Sequence, residues 1–111
     1  MIDLEMIYPG ASLRDLQTYQ QEICKVRGWD KAAPTETFLL FSEEVGELAK
    51  ALRNKLNLFT EKGKNQTDEA LELEFADVFS YLMELANHFD IDLESSFVKK
   101  MKINAQRDWN N

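Results

Sequence analysis

Apolar positions recur along this chain at three- and four-residue intervals, and no stretch keeps the two-residue alternation of a half-buried strand. Leu13, Leu16, Gln20 and Ile23 mark the inner stripe of a first helix, running from Ser12 to about Val26. Ser12 is its N-cap, with Asp15 three residues on in a capping-box pattern. Gly28 stops that helix and opens a loop through Pro34. A second helix runs from near Thr35 to about Leu56 or Leu58, with an apolar arc of Phe38, Phe41, Val45, Leu48, Ala49 and Leu52. After the polar connection Glu61–Gln66, Thr67 caps a third helix that continues to about Phe89 through Leu71, Phe75, Val78, Leu82 and Leu85. Asp92 caps a fourth, running to about Arg107. Long amphipathic helices joined by short loops predict an all-α chain of the antiparallel four-helix bundle type.

Length and composition narrow this picture. The 111 residues suit a single domain spanning 1–111 with a modest core, so we expect apolar surface to be completed by oligomerisation. The formal net charge of −7 argues against polymeric nucleic acid or an anionic membrane as partner. No segment reaches the roughly 20 apolar residues of a membrane span, and residues 1–11 lack a basic, then apolar, leader pattern. The lone Cys24 forms no intrachain disulfide and reads as a partly buried thiol. Together these predict a cytoplasmic protein.

The charge becomes informative once it is placed on the helices. At about 100° per residue, the arc of the second helix centres on Val45 and Leu52. Glu44 falls between Leu48 and Ala51 at the border of the arc, Glu47 one step further round, and Glu43 points outward with Lys50 and Asn54. The third helix repeats the device: Glu74 and Asp77 are again i,i+3, on a flank shared with Ala70, Tyr81, Glu84 and His88. If those flanks face each other, four carboxylates converge, and their repulsion requires a cation. Oxygen-only ligation selects Mg²⁺, with Mn²⁺ as a substitute, and Mg²⁺ commonly completes its shell with phosphate oxygens. The competing reading, four solvated glutamates and aspartates, accounts for any one of them more easily than for two paired flanks.

On the fourth helix Lys100, Asn104 and Arg107 form a stripe that could hold a polyphosphate, or simply decorate a helix C-terminus. Phe97 and Met101 beside it are expected to anchor the helix. Trp29 could stack on a nucleobase or close an end of the bundle, and Tyr81, one turn beyond Asp77, could reach a base or pack in the core. His88, roughly 16 Å along the helix from Asp77, is too far to share its ion. Trp109 is expected at a packed or interfacial position.

These residues make the chain resemble the MazG-like family of all-α nucleotide pyrophosphohydrolases. Glu43-Glu44-Val45-Gly46-Glu47 matches its EExxE helix, Glu74-Phe75-Ala76-Asp77 its ExxD helix, and Lys100-Met101-Lys102-Ile103-Asn104-Ala105-Gln106-Arg107 its KMxxNxxR segment. The resemblance extends over roughly residues 12–109. It implies Mg²⁺-dependent hydrolysis of a nucleoside triphosphate to monophosphate and pyrophosphate, often as house-cleaning of nucleotide pools. It implies metal ligation by Glu44, Glu47, Glu74 and Asp77, and phosphate contacts from Lys100, Asn104 and Arg107. Trp29 and Tyr81 become candidates for the base pocket. It also implies a homo-oligomer, a dimer or a tetramer made of two dimers. Glu43, Glu44 and Glu47 are the candidate catalytic acids, Glu43 orienting or deprotonating the water from behind the metal ligands. A phosphoribosyl-ATP pyrophosphohydrolase-like enzyme is the rival within the class. A di-iron or ferritin-like protein is disfavoured because both motifs end in an acid rather than His. A non-enzymatic helical interaction module is the third alternative.

Overall fold

The computed structural model describes residues 4–59 and 66–107. The expected connection Glu61–Gln66 falls almost entirely outside the described residues, as does Trp109. Four α-helices, α1 (Leu13–Val26), α2 (Pro34–Lys55), α3 (Asp68–His88) and α4 (Leu93–Ala105), account for most of what is described, with short 3-10 turns at Leu4–Met6 and Trp29–Lys31. No strand occurs among the described residues. The all-α expectation holds, and no helix among the described residues is long and apolar enough to cross a membrane.

The helices start where short-range chemistry tells them to. Ser12 Oγ accepts the Asp15 N–H (3.1 Å), Thr67 Oγ1 that of Ala70 (3.1 Å) and Asp92 Oδ1 that of Glu94 (3.0 Å). α2 begins one residue earlier than expected. Pro34 is its first residue, where its missing N–H costs nothing, and the Glu36 carboxylate accepts the Ala33 N–H (3.1 Å). Two helices end in a left-handed residue followed by a pair of return hydrogen bonds. After α2, Asn57 has φ 56°, with Asn57 N–H bonded to Asn54 O and Leu58 N–H to Arg53 O. After α3, Asp90 has φ 53°, with its N–H on Asn87 O and that of Ile91 on Ala86 O. α4 stops at Ala105, short of the expected Arg107. Arg107 therefore follows a turn, its N–H on Asn104 O (3.2 Å), and does not extend the helical stripe.

The described chain forms two compact units. One holds residues 1–31 and 86–111, hence α1, the end of α3 and α4. Its centre is Gln17, which is 6% exposed. The Gln17 amide nitrogen donates to Asn87 Oδ1 (2.8 Å) and Ile91 O (2.5 Å), and its oxygen accepts the Leu93 N–H (3.0 Å). Asn87 Nδ2 returns a bond to Gln17 O (3.2 Å). Arg14 adds a second tie between α1 and α4, donating Nε to Asp92 Oδ2 (2.7 Å) and lying 3.4 Å from Glu94. Ile23 and Cys24 of α1 are also buried, Cys24 more deeply than expected.

The other unit, residues 32–85, is the hairpin of α2 with most of α3. Lys55 Nζ meets Asp68 Oδ1 at 2.5 Å, tying the end of α2 to the start of α3. The least exposed stripe of α2 is Thr37, Phe41, Glu44, Leu48 and Ala51, and that of α3 below its last turns includes Leu71, Glu74, Val78 and Tyr81. The arc expected to be innermost is not: Val45 and Leu52 are exposed, as are Phe38 and Phe75. The apolar surface of α2 is wider than one neighbouring helix covers, and a wheel shows its width without showing which sector meets the neighbour. Phe97 and Met101 are likewise exposed, and α4 has no buried residue, so they do not anchor it within the chain.

Candidate metal centre

On α2, Glu44 occupies the covered stripe one turn after Phe41 and one turn before Leu48, so its carboxylate emerges from an otherwise apolar row. Glu74 holds the equivalent place on α3, between Leu71 and Val78. Asp77, three residues beyond Glu74, is exposed beside it. One carboxylate oxygen from each of Glu44, Glu74 and Asp77 can be chosen so that all three lie within 4.8 Å of one another.

That geometry is electrostatically unfavourable by itself. Burial, and then the negative charges of Asp77, Glu74, Glu47 and Glu43 in that order, hold the Glu44 carboxyl above its ordinary pKa. The order is structural information. Glu47 stands near enough to repel Glu44 but is exposed and outside the close trio, while Glu43, also exposed, has the smallest effect. The ion pairs Arg14–Asp92, Arg14–Glu94 and Lys55–Asp68 involve none of these acids. A cluster of carboxylates with two half-buried members, and no His or Cys among them, fits a hard divalent ion coordinated by oxygen.

The remaining candidate residues sit elsewhere along the chain. Tyr81, one turn past Asp77 on α3, is half-buried and already engaged within the protein. His88 is half-buried and engaged at the end of α3 and does not belong to the trio. Lys100 and Asn104 lie on α4, Lys100 exposed and Asn104 half-buried, with Arg107 beyond the helix. Trp29 is 48% exposed in the 3-10 turn after α1, with the Arg27 guanidinium 5.1 Å from its ring centroid. Sequence reasoning did not identify Arg27. The pointer to it was Arg27-Gly28-Trp29, a cation and an aromatic flanking a glycine free to turn left-handed.

Comparison with known proteins places this geometry in context. The MazG nucleotide pyrophosphohydrolase domain family matches residues 33–109, which include both acidic helices. Over 104 residues the chain is 33% identical to dCTP pyrophosphatase 1 of Mus musculus. It is 32% identical to the proteins of the same name from Rattus norvegicus, over 102 residues, and Homo sapiens, over 104. Each alignment takes in 89% of this chain but 60% of the relative, so the chain spans well under two thirds of those proteins' length.

Proposed function

The chain belongs to the MazG nucleotide pyrophosphohydrolase family, and from that premise we propose that it hydrolyses a nucleoside triphosphate to the monophosphate and pyrophosphate with a divalent cation, Mg²⁺ or Mn²⁺. The observation that carries this reading is the convergence of Glu44, Glu74 and Asp77 within 4.8 Å, the two glutamates half-buried and Asp77 exposed beside them. Glu47 completes the set as the fourth ligand. A bound divalent ion supplies neutralisation of the triphosphate charge and acidifies water at the site. Glu43, behind the ligands on α2, orients or deprotonates that water. Lys100, Asn104 and Arg107 bind the phosphates, the two cations stabilising charge on the leaving pyrophosphate. Trp29 and Tyr81 contact the base. The relatives' name makes dCTP the first substrate to test, and clearing unwanted nucleotides from the cytoplasmic pool is the role such a reaction serves.

The exposed apolar surface supports a homo-oligomer, a dimer or a tetramer. Phe38, Leu39 and Leu40 are 53%, 68% and 42% exposed. Three successive helical positions point in directions about 100° apart, so no single packed neighbour could cover them all. Sedimentation should show species of two or four times 12.9 kDa; a monomer at micromolar concentration would refute the assembly.

The decisive assay offers dCTP, the other standard nucleotides and base-modified ones with Mg²⁺ and measures pyrophosphate. Release with Mg²⁺, none in chelator, and none from Asp77→Asn with unchanged helical circular dichroism is the expected result. Turnover in chelator, release of orthophosphate instead, or full activity in Asp77→Asn would refute the proposal.

A further inference from the structure

In a chain with 20 acidic residues, Arg27 forms no ion pair with a carboxylate among the described residues. Its guanidinium lies instead over the Trp29 ring, 5.1 Å from the centroid and within cation–π range. The backbone is arranged to produce that contact. Arg27 ends α1 with its N–H on Ile23 O (3.1 Å), and Gly28 follows at φ +74° with its N–H on Lys25 O (3.2 Å). The left-handed glycine reverses the chain, and Trp29 enters the 3-10 turn with its ring under the arginine. A Cβ at Gly28 would meet nothing within 4 Å, so the glycine supplies a dihedral angle and not space. Both side chains remain exposed, Trp29 at 48%. The pair is assembled at the surface and is not packed away as core.

We propose that Arg27 is a positioning residue for the substrate's nucleobase: it covers one face of Trp29, fixes the plane of the indole, and leaves the opposite face as a stacking surface. This rests on the assignment of Trp29 to the base. A guanidinium suits the task because it is planar and permanently charged, whereas an ammonium brings charge without a plane. Pre-setting the ring lowers the cost of ordering it when the base arrives. The benefit is the same in ground and transition states, so it belongs in KM and not in kcat.

The test uses the full chain carrying Trp109→Phe, which leaves Trp29 as the single remaining tryptophan of the two. Steady-state kinetics are measured on the panel nucleotide turned over fastest, with dCTP expected. The α,β-imido analogue of that nucleotide is titrated with Mg²⁺ while Trp29 fluorescence is followed. Arg27→Met should raise KM and the analogue's Kd about two- to five-fold, the worth of an exposed cation–π contact, with kcat unchanged. Arg27→Lys should recover part of the loss, and Trp29→Ala should weaken binding at least as much as Arg27→Met. If Trp29→Ala weakens binding and Arg27→Met does not, Arg27 has no positioning role while the base assignment stands. If Trp29→Ala changes nothing, the base assignment fails and this proposal with it. Tighter binding in Arg27→Met would mean that the arginine covers the face the base needs. A fall in kcat at constant KM would mark Arg27 as a structural cap of α1. Either outcome overturns the proposal.

Discussion

Around Gln17, where α1 meets the end of α3 and the start of α4, amide donors and acceptors are matched bond for bond. Around Glu44, in the hairpin of α2 and α3, carboxylates find chiefly one another. Both clusters interrupt an otherwise apolar stripe, and both bring together residues distant in sequence. In the first, the amide groups satisfy each other. In the second, like charges are brought together by the fold and repel one another. A polar cluster that stabilises a fold and one proposed to take a cation thus differ in whether their members attract or repel one another, not in how deeply they lie.

The sharpest way to break that contrast is to replace one member of each cluster. Glu44→Gln or Asp77→Asn should abolish Mg²⁺-dependent turnover while the metal-free protein melts no lower than the parent, because a repulsion has been removed. Gln17→Ala should do the reverse. It should keep measurable turnover at low temperature yet cost about 2 kcal/mol of stability in denaturant titration, because the Leu93 N–H and the Asn87 side chain lose their partner. Should Glu44→Gln destabilise the metal-free protein as much as Gln17→Ala does, the two clusters would be the same kind of thing.

A subtler separation comes from pH. The Asp92 carboxyl is held below its ordinary value, chiefly by its hydrogen bond from Arg14, whereas Glu44 is held above its own, chiefly by burial. For Asp92 the unfolded chain binds the proton more readily, so the stabilisation is present above the ordinary aspartate value and is lost as pH falls through the depressed one. For Glu44 the folded chain binds it more readily, so metal-free stability declines as pH rises from the ordinary glutamate value to the raised one. In melting curves taken in chelator, the advantage of the parent over Arg14→Met should close on acidification. The advantage of Glu44→Gln over the parent should close in the same direction, from the opposite sign. Saturating Mg²⁺ should remove the second trend and leave the first.

What was readable in the sequence divides along similar lines. Caps at Ser12, Thr67 and Asp92 were legible because donor and acceptor lie within three residues. The acids Glu44, Glu74 and Asp77 were legible because their spacing repeats on two helices. The arc of Val45 and Leu52 misled because a helix wheel ranks hydrophobicity, and the wide apolar surface of α2 offers more than one sector for a neighbour. Glu44 consequently lies further into the covered stripe than the border position inferred for it. The expected stripe of Lys100, Asn104 and Arg107 assumed a helix two residues longer than the one that forms. The Gln17 network was not legible at all: its partners lie 70 or more residues away, and a glutamine at a core position carries no sign of what it will meet.

The first turn of α4 is not self-sufficient. Its Leu93 N–H is received by Gln17 of α1, and its Glu94 N–H by Asp92, whose other oxygen holds Arg14 of α1. Nucleation is the slow, unfavourable part of making a helix, and here half of the nucleus belongs to another segment more than seventy residues earlier. At 13 residues α4 is too short to persist in water unaided. The first turn of α4 is therefore fully capped only where α1 is in place.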